Sequence, residues 1–129
     1  MTTTASSSDR KRVIGYWVLT ALFCLPIGVG GVFDALRPPE VLEIFSHLGY
    51  PAYFALLLGI SKILGAAVVM LPGLPRLKEW AYAGITFDLV AAAWSHLAVG
   101  DPITNVIPPI VILGFGAGSY LLRPLSRRL

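Results

Sequence analysis

Two charged residues stand alone in long apolar surroundings. Lys62 is the single charge of the apolar run 52–71, and Asp88 is the single charge of the run 80–99. An ionisable side chain at mid-bilayer costs about 2.5–3.5 kcal/mol on insertion scales, so it is rare, paired and commonly functional. With a rise of about 1.5 Å per residue, Lys62 lies roughly 15 Å and Asp88 roughly 12 Å from the turn that joins their runs. Antiparallel neighbours with charges at matched depth bring an ammonium and a carboxylate together. The pair has two readings. It fixes helix register, since buried pairs are weak evidence of net stabilisation. Alternatively it is the polar end of a pocket, where the two groups hold a ligand head or act as acid and base. Ser61 adjoins Lys62 and Thr86 lies near Asp88. The string Trp94–Ser95–His96 follows on the same helix.

His96 is a candidate proton donor or acceptor near the outer end of its run. The other reading is an interfacial histidine bonded to a neighbour. Asp34, at the end of the first run, and His47, on the segment before the second, join His96 and Asp101 as candidates for a polar mouth. Asp34 and Asp101 otherwise simply end their helices in water. Haem needs histidines on facing helices at matched depth, which His47 and His96 do not offer. No ligand spacing of the HExxH kind supports a metal. There is no phosphate loop, nucleophile–base signature or nucleic-acid module.

The elements that must carry these residues are apolar. Of 129 residues, 56% are hydrophobic and 13% charged, against about 25% charged in soluble domains. A chain this short cannot hide that excess in a soluble core. Four apolar runs, 13–33, 52–71, 80–99 and 106–122, approach the ~20 residues that a spanning helix needs. The expected fold class is all-α: an integral membrane four-helix bundle, in contact with the lipid bilayer. One cysteine, Cys24, excludes a disulfide framework and reads as a packing residue.

Residues 1–12 read as a polar and basic disordered tail, and 123–129 as a basic tail. Arg10, Lys11, Arg12, Arg76, Lys78, Arg123, Arg127 and Arg128 fall on one side, and only Arg37 on the other. The positive-inside bias makes that side cytoplasmic, with both termini in the cytoplasm of a multi-pass protein of the cell's inner membrane. The +3 net charge therefore reads as topology and not as nucleic-acid binding.

Within 38–50, Val41, Ile44, Phe45 and Leu48 recur at helical spacing. Pro38–Pro39 and Gly49 mark a start and a stop. An amphipathic helix on the outer surface is expected there. Tyr16, Trp17, Tyr50, Trp80, Tyr82 and Tyr120 read as an aromatic belt. Pro26 and Pro108–Pro109 read as packing kinks, and Gly114 with Gly118 as a GxxxG contact within the bundle or between subunits.

Several strings resemble the DoxX-like family: LGYP at 48–51, GISKILG at 59–65 and LPGLPRLKEWAYAG at 71–84. Phe87–Asp88, Ser95–His96 and Gly100–Asp101 add to them, and the resemblance covers roughly residues 13–122. It implies a small four-helix membrane protein. The family takes its name from a subunit of a thiosulfate:quinone oxidoreductase. Its helix-two lysine falls on Lys62, and its helix-three polar positions fall on Asp88, Ser95 and His96. The expectation is a pocket for a quinone-like or other small lipophilic molecule. Lys62, Asp88 and His96 would carry the chemistry, and Ser61, Thr86, Ser95, Trp94, Asp34 and His47 would line the site. A redox role would need a bound quinone or a partner subunit. The alternatives are a non-redox membrane enzyme or carrier for a lipophilic metabolite, and a scaffold or homo-oligomeric assembly protein.

Overall fold

The structure is a computed structural model and describes residues 7–128. It contains five α-helices: α1 (Ser7–Leu36), α2 (Pro39–His47), α3 (Ala52–Met70), α4 (Pro75–Ala98) and α5 (Ile103–Leu121). A short 3-10 turn (Leu125–Arg127) follows, and there is no strand among the described residues. α1 packs on α3 and α5, α4 packs on the same two, and α2 leans on α3. The long helices therefore form a ring in the order α1, α3, α4, α5.

Three helices, α1, α3 and α5, are long and apolar enough to cross a membrane. α4 has 24 residues, but Arg76, Lys78 and Glu79 occupy its first turns and Asp88 its middle. Leucines, valines and isoleucines cover the outside, among them Leu25, Val29, Leu57, Leu64 and Ile110. That surface suits hydrocarbon and not water.

α1 begins at Ser7, so residues 7–12 extend a helix where the sequence suggests a tail; the expectation for 1–6 lies outside the described residues. The basic C-terminal segment also differs. Arg127 is buried, and its guanidinium donates to Tyr16 Oη at 2.8 Å and to the carbonyls of Val69, Met70 and Leu71. Lys78 is buried beside it and donates to Leu71 O and Gly73 O. Two cations thus satisfy the carbonyls left unpaired at the end of α3, where the helix dipole is negative.

Near the termini the bundle is close-packed. Phe23, Cys24 and Ile27 of α1 meet Ala66 and Val69 of α3 and Tyr82, Ile85 and Leu89 of α4. Tyr82 Oη and Thr20 Oγ1 both share hydrogen bonds with the buried Ser119 Oγ. Tyr16 and Tyr82 therefore leave the expected aromatic belt and enter the core, because their hydroxyls find partners there. The tight glycines of α5 are Gly116, against Phe23, and Gly118, against Leu19; Gly114 faces open space, so of the GxxxG pair Gly118 makes the contact within the bundle.

Candidate functional site

Towards the other end the bundle opens. A cavity of about 430 Å³ lies between α1, α3 and α4 and beneath α2. Its deep end carries Asp34, Lys62 and Asp88, and its upper wall carries Tyr50, Ser95 and His96. A smaller space of about 180 Å³ continues from Lys62 and Asp88 towards Ser61 and Trp80. The two charged residues stand at the junction.

Lys62 Nζ donates to Asp34 Oδ2 at 3.0 Å and lies 3.8 Å from Asp88 Oδ2. The side chains retain 20%, 12% and 13% of their exposure, respectively. The Lys62–Asp88 approach agrees with the depth argument. Asp34 does not sit where its sequence position suggests. It is buried inside α1, which runs on to Leu36, and it is the closer partner of Lys62.

Glycine makes that closeness possible. Ala35, Gly31 and Gly59 bring the backbones of α1 and α3 together, and a Cβ on Gly59 would fall 2.5 Å from Gly31 O. Gly59 therefore faces α1. Asp34 sits three residues beyond Gly31 and Lys62 three beyond Gly59, so one contact positions both.

The upper wall is built by two helix stops of one type. At Gly49 (φ 87°) and Gly100 (φ 77°) the chain enters the left-handed region that glycine adopts without strain. The next amides reach back, Tyr50 N–H to Phe45 O at 2.8 Å and Asp101 N–H to His96 O at 2.9 Å. This Schellman geometry returns Tyr50 towards the cavity and Asp101 to His96. Tyr50 Oη then meets Ser95 Oγ at 2.6 Å, and its ring stacks on Phe54 with centroids 4.9 Å apart.

His96 Nδ1 donates to Asp101 Oδ2 at 2.7 Å, and His47 Nε2 donates to Asp101 Oδ1 at 2.6 Å. One carboxylate thus clamps α2 to the end of α4. The hydrogen bond from His96, then that from His47, holds the Asp101 carboxyl below its ordinary value of 3.8. The proximity of His47 and His96 is legible in the sequence, but the bridging role of Asp101 is not.

The other expected site residues are divided. Ser95 and His96 line the main cavity, and Ser61 lines the smaller one while donating to Leu57 O. Thr86 donates to Tyr82 O and faces a groove between α4 and α5. Trp94 is 72% exposed on the outer face of α4. His47 is exposed and acts through the clamp. Tyr50, Phe45 and Phe54 line the cavity without having been singled out for the site by their spacing.

Long apolar helices on the outside and a buried charged set within define a small helical membrane protein. The family model described as the DoxX-like family matches residues 18–119. The chain belongs to that family. No curated protein and no solved structure matches it.

Proposed function

We propose that the chain crosses the membrane four times, through α1, α3, α4 and α5, and binds a small lipophilic molecule in the cavity between α1, α3 and α4. The observation that carries this reading is the cavity itself. Its volume of about 430 Å³ falls in the 300–1,000 Å³ range of small-molecule sites. Its walls are mostly apolar, and its two carboxylates and one ammonium gather at the deep end, as an amphiphile requires. α4 supports a fourth span because its stretch 80–98 has one charge, Asp88, which is turned inward to Lys62. The excess of Lys and Arg at the terminal end supports a cytoplasmic location for both termini. Impermeant thiol labelling of Thr104→Cys from outside intact cells, in a Cys24→Ser background, tests that orientation; labelling only after lysis contradicts it.

In this arrangement Lys62 and Asp88 meet the ligand head, Asp34 holds Lys62 in place, and Ser95 and His96 stand between the head and the outer surface. α2 covers the site. A quinone is the redox-active occupant of this class, and with a partner subunit it would make the chain the membrane part of an oxidoreductase. The test is native mass spectrometry of the gently purified chain, with identification of any retained molecule. Wild type is expected to carry a lipophilic adduct that Ala92→Phe, which fills the cavity wall, excludes. An empty wild type, or an adduct indifferent to Ala92→Phe, counts against the reading.

A further inference from the structure

We propose that the head of the bound molecule is a cation: the cavity takes a lipophilic amine, with Asp88 as its counter-ion. This deepens the cavity reading above and rests on it.

The titratable groups lining the cavity are Asp34, Tyr50, Lys62, Asp88 and His96. Lys62 is their single ammonium and stands against two carboxylates. Its short bond goes to Asp34 at 3.0 Å, while Asp88 lies 3.8 Å away and makes no hydrogen bond among the described residues. With both carboxylates ionised the set is one positive charge short, at a depth where an unbalanced charge is costly.

The neutral groups have the same polarity. Ser95 has one hydroxyl proton, and it goes to Ala91 O at 2.7 Å. Tyr50 O–H must therefore donate to Ser95 Oγ, leaving Tyr50 Oη with lone pairs only. His96 Nδ1–H is given to Asp101, so the neutral ring keeps Nε2 as an acceptor. The wall thus offers acceptors from Asp88, Tyr50 and His96, and few donors. A quinone carbonyl is itself an acceptor and would leave Asp88 unmatched. A protonated amine supplies both the missing charge and the missing N–H donors.

The aromatic lining agrees. Phe45, Tyr50 and Phe54 cluster on the α2 side of the cavity, with centroids 4.9–6.3 Å apart. Ring faces attract cations and also accept an alkyl body.

The experiment compares dodecylamine, dodecanol and a decyl-substituted benzoquinone on the full chain in nanodiscs at neutral pH, with occupancy read by native mass spectrometry. Wild type is expected to hold the amine at least tenfold more tightly than the alcohol of the same body. Asp88→Asn is expected to abolish that ratio through loss of amine binding. Should Asp88→Asn not fold, the wild-type amine-to-alcohol ratio decides alone. If the quinone or the alcohol binds wild type as well as the amine does, and Ala92→Phe blocks it, the amine proposal is overturned while the cavity remains a ligand site. If no probe binds wild type, the cavity reading falls as well.

Discussion

Gly59→Ala strikes the contact on which the charged end of the cavity depends. A Cβ at residue 59 would stand 2.5 Å from Gly31 O and 2.9 Å from Ala35 Cα. Carbon atoms in favourable contact lie about 3.5–4.0 Å apart, so α1 and α3 must separate by ~0.6 Å or more. The obstructing atoms are main chain, and no side chain can rotate away to absorb the strain. Overpacking costs about 1–3 kcal/mol. A backbone-limited case belongs in the upper part of that range, at about 2–3 kcal/mol, or roughly 30- to 150-fold in the folded-to-unfolded ratio. The same separation stretches the 3.0 Å Lys62–Asp34 bond towards the limit of a hydrogen bond. Cys24 is the chain's only cysteine and is buried in the core, so a thiol-reactive dye applied during heating reports unfolding. Gly59→Ala is expected to lower the labelling midpoint clearly. Gly30→Ala, whose Cβ meets nothing within 4 Å, is expected to leave it unchanged or slightly raised. Equal midpoints for wild type and Gly59→Ala would refute the close approach, and with it the placement of Asp34 against Lys62.

Lys62→Met leaves Asp34 and Asp88 together with no cation, and breaking a buried pair from one side costs about 3–5 kcal/mol. Adding Asp34→Leu and Asp88→Leu is expected to restore the Cys24 labelling midpoint but not ligand retention; a triple variant with full cellular function would leave the charges a structural role alone. Arg127→Ala removes charge-assisted bonds to Tyr16, to the Val69 and Met70 carbonyls of α3 and to the Leu71 carbonyl just beyond it. Such bonds are worth about 1.5–3 kcal/mol each when buried, and three of the four share one guanidinium nitrogen, so a loss of at least about 3 kcal/mol is expected. Arg127→Lys should rescue little, because an ammonium cannot span that fan of acceptors, and full rescue would show that only the charge matters. Asp101→Asn is expected to speed amide exchange across α2. Because the folded carboxyl titrates below 3.8, its contribution is fully present above that value and is lost as pH falls through the lower folded one. Protection of α2, corrected for intrinsic exchange, should therefore hold from neutrality down to about pH 4; loosening between neutrality and pH 5 would contradict the clamp.

Lys62 and Asp88 are legible in the sequence because each interrupts an otherwise uncharged run, at similar depth on either side of a short turn. α2 is legible because its apolar spacing is bracketed by Pro39 and Gly49. Asp34 is harder to read. An apolar run ends at its first charge, so residue and helix end coincide on paper, while the backbone continues to Leu36. Its true signal is the spacing Gly31–Asp34 on one helix repeated as Gly59–Lys62 on the other, a pattern visible only once the two helices are paired. Tyr50 resembles any interfacial aromatic, and the turn after Gly49 that carries it inward has no periodicity to mark it. Arg127 reads as one more basic tail residue, since all its partners but Tyr16 are main-chain carbonyls at the end of α3 and carry no sequence signature. What sequence periodicity conveys is which face is apolar; which helix that face meets is decided by close-packed glycines and by hydrogen bonds to backbone.

On the proposed function, a lipophilic molecule occupies the space bounded by Asp34, Lys62 and Asp88. Photolabelling in native membranes with a diazirine-bearing alkyl amine, followed by peptide mapping, tests it most directly. Labels are expected to concentrate on residues 54–62 of α3 and 87–96 of α4, to be displaced by excess unlabelled amine, and to disappear in Ala92→Phe. Labels spread over the outward-facing residues Leu25, Val29, Leu64 and Ile110, undiminished by competitor or by Ala92→Phe, would contradict the account.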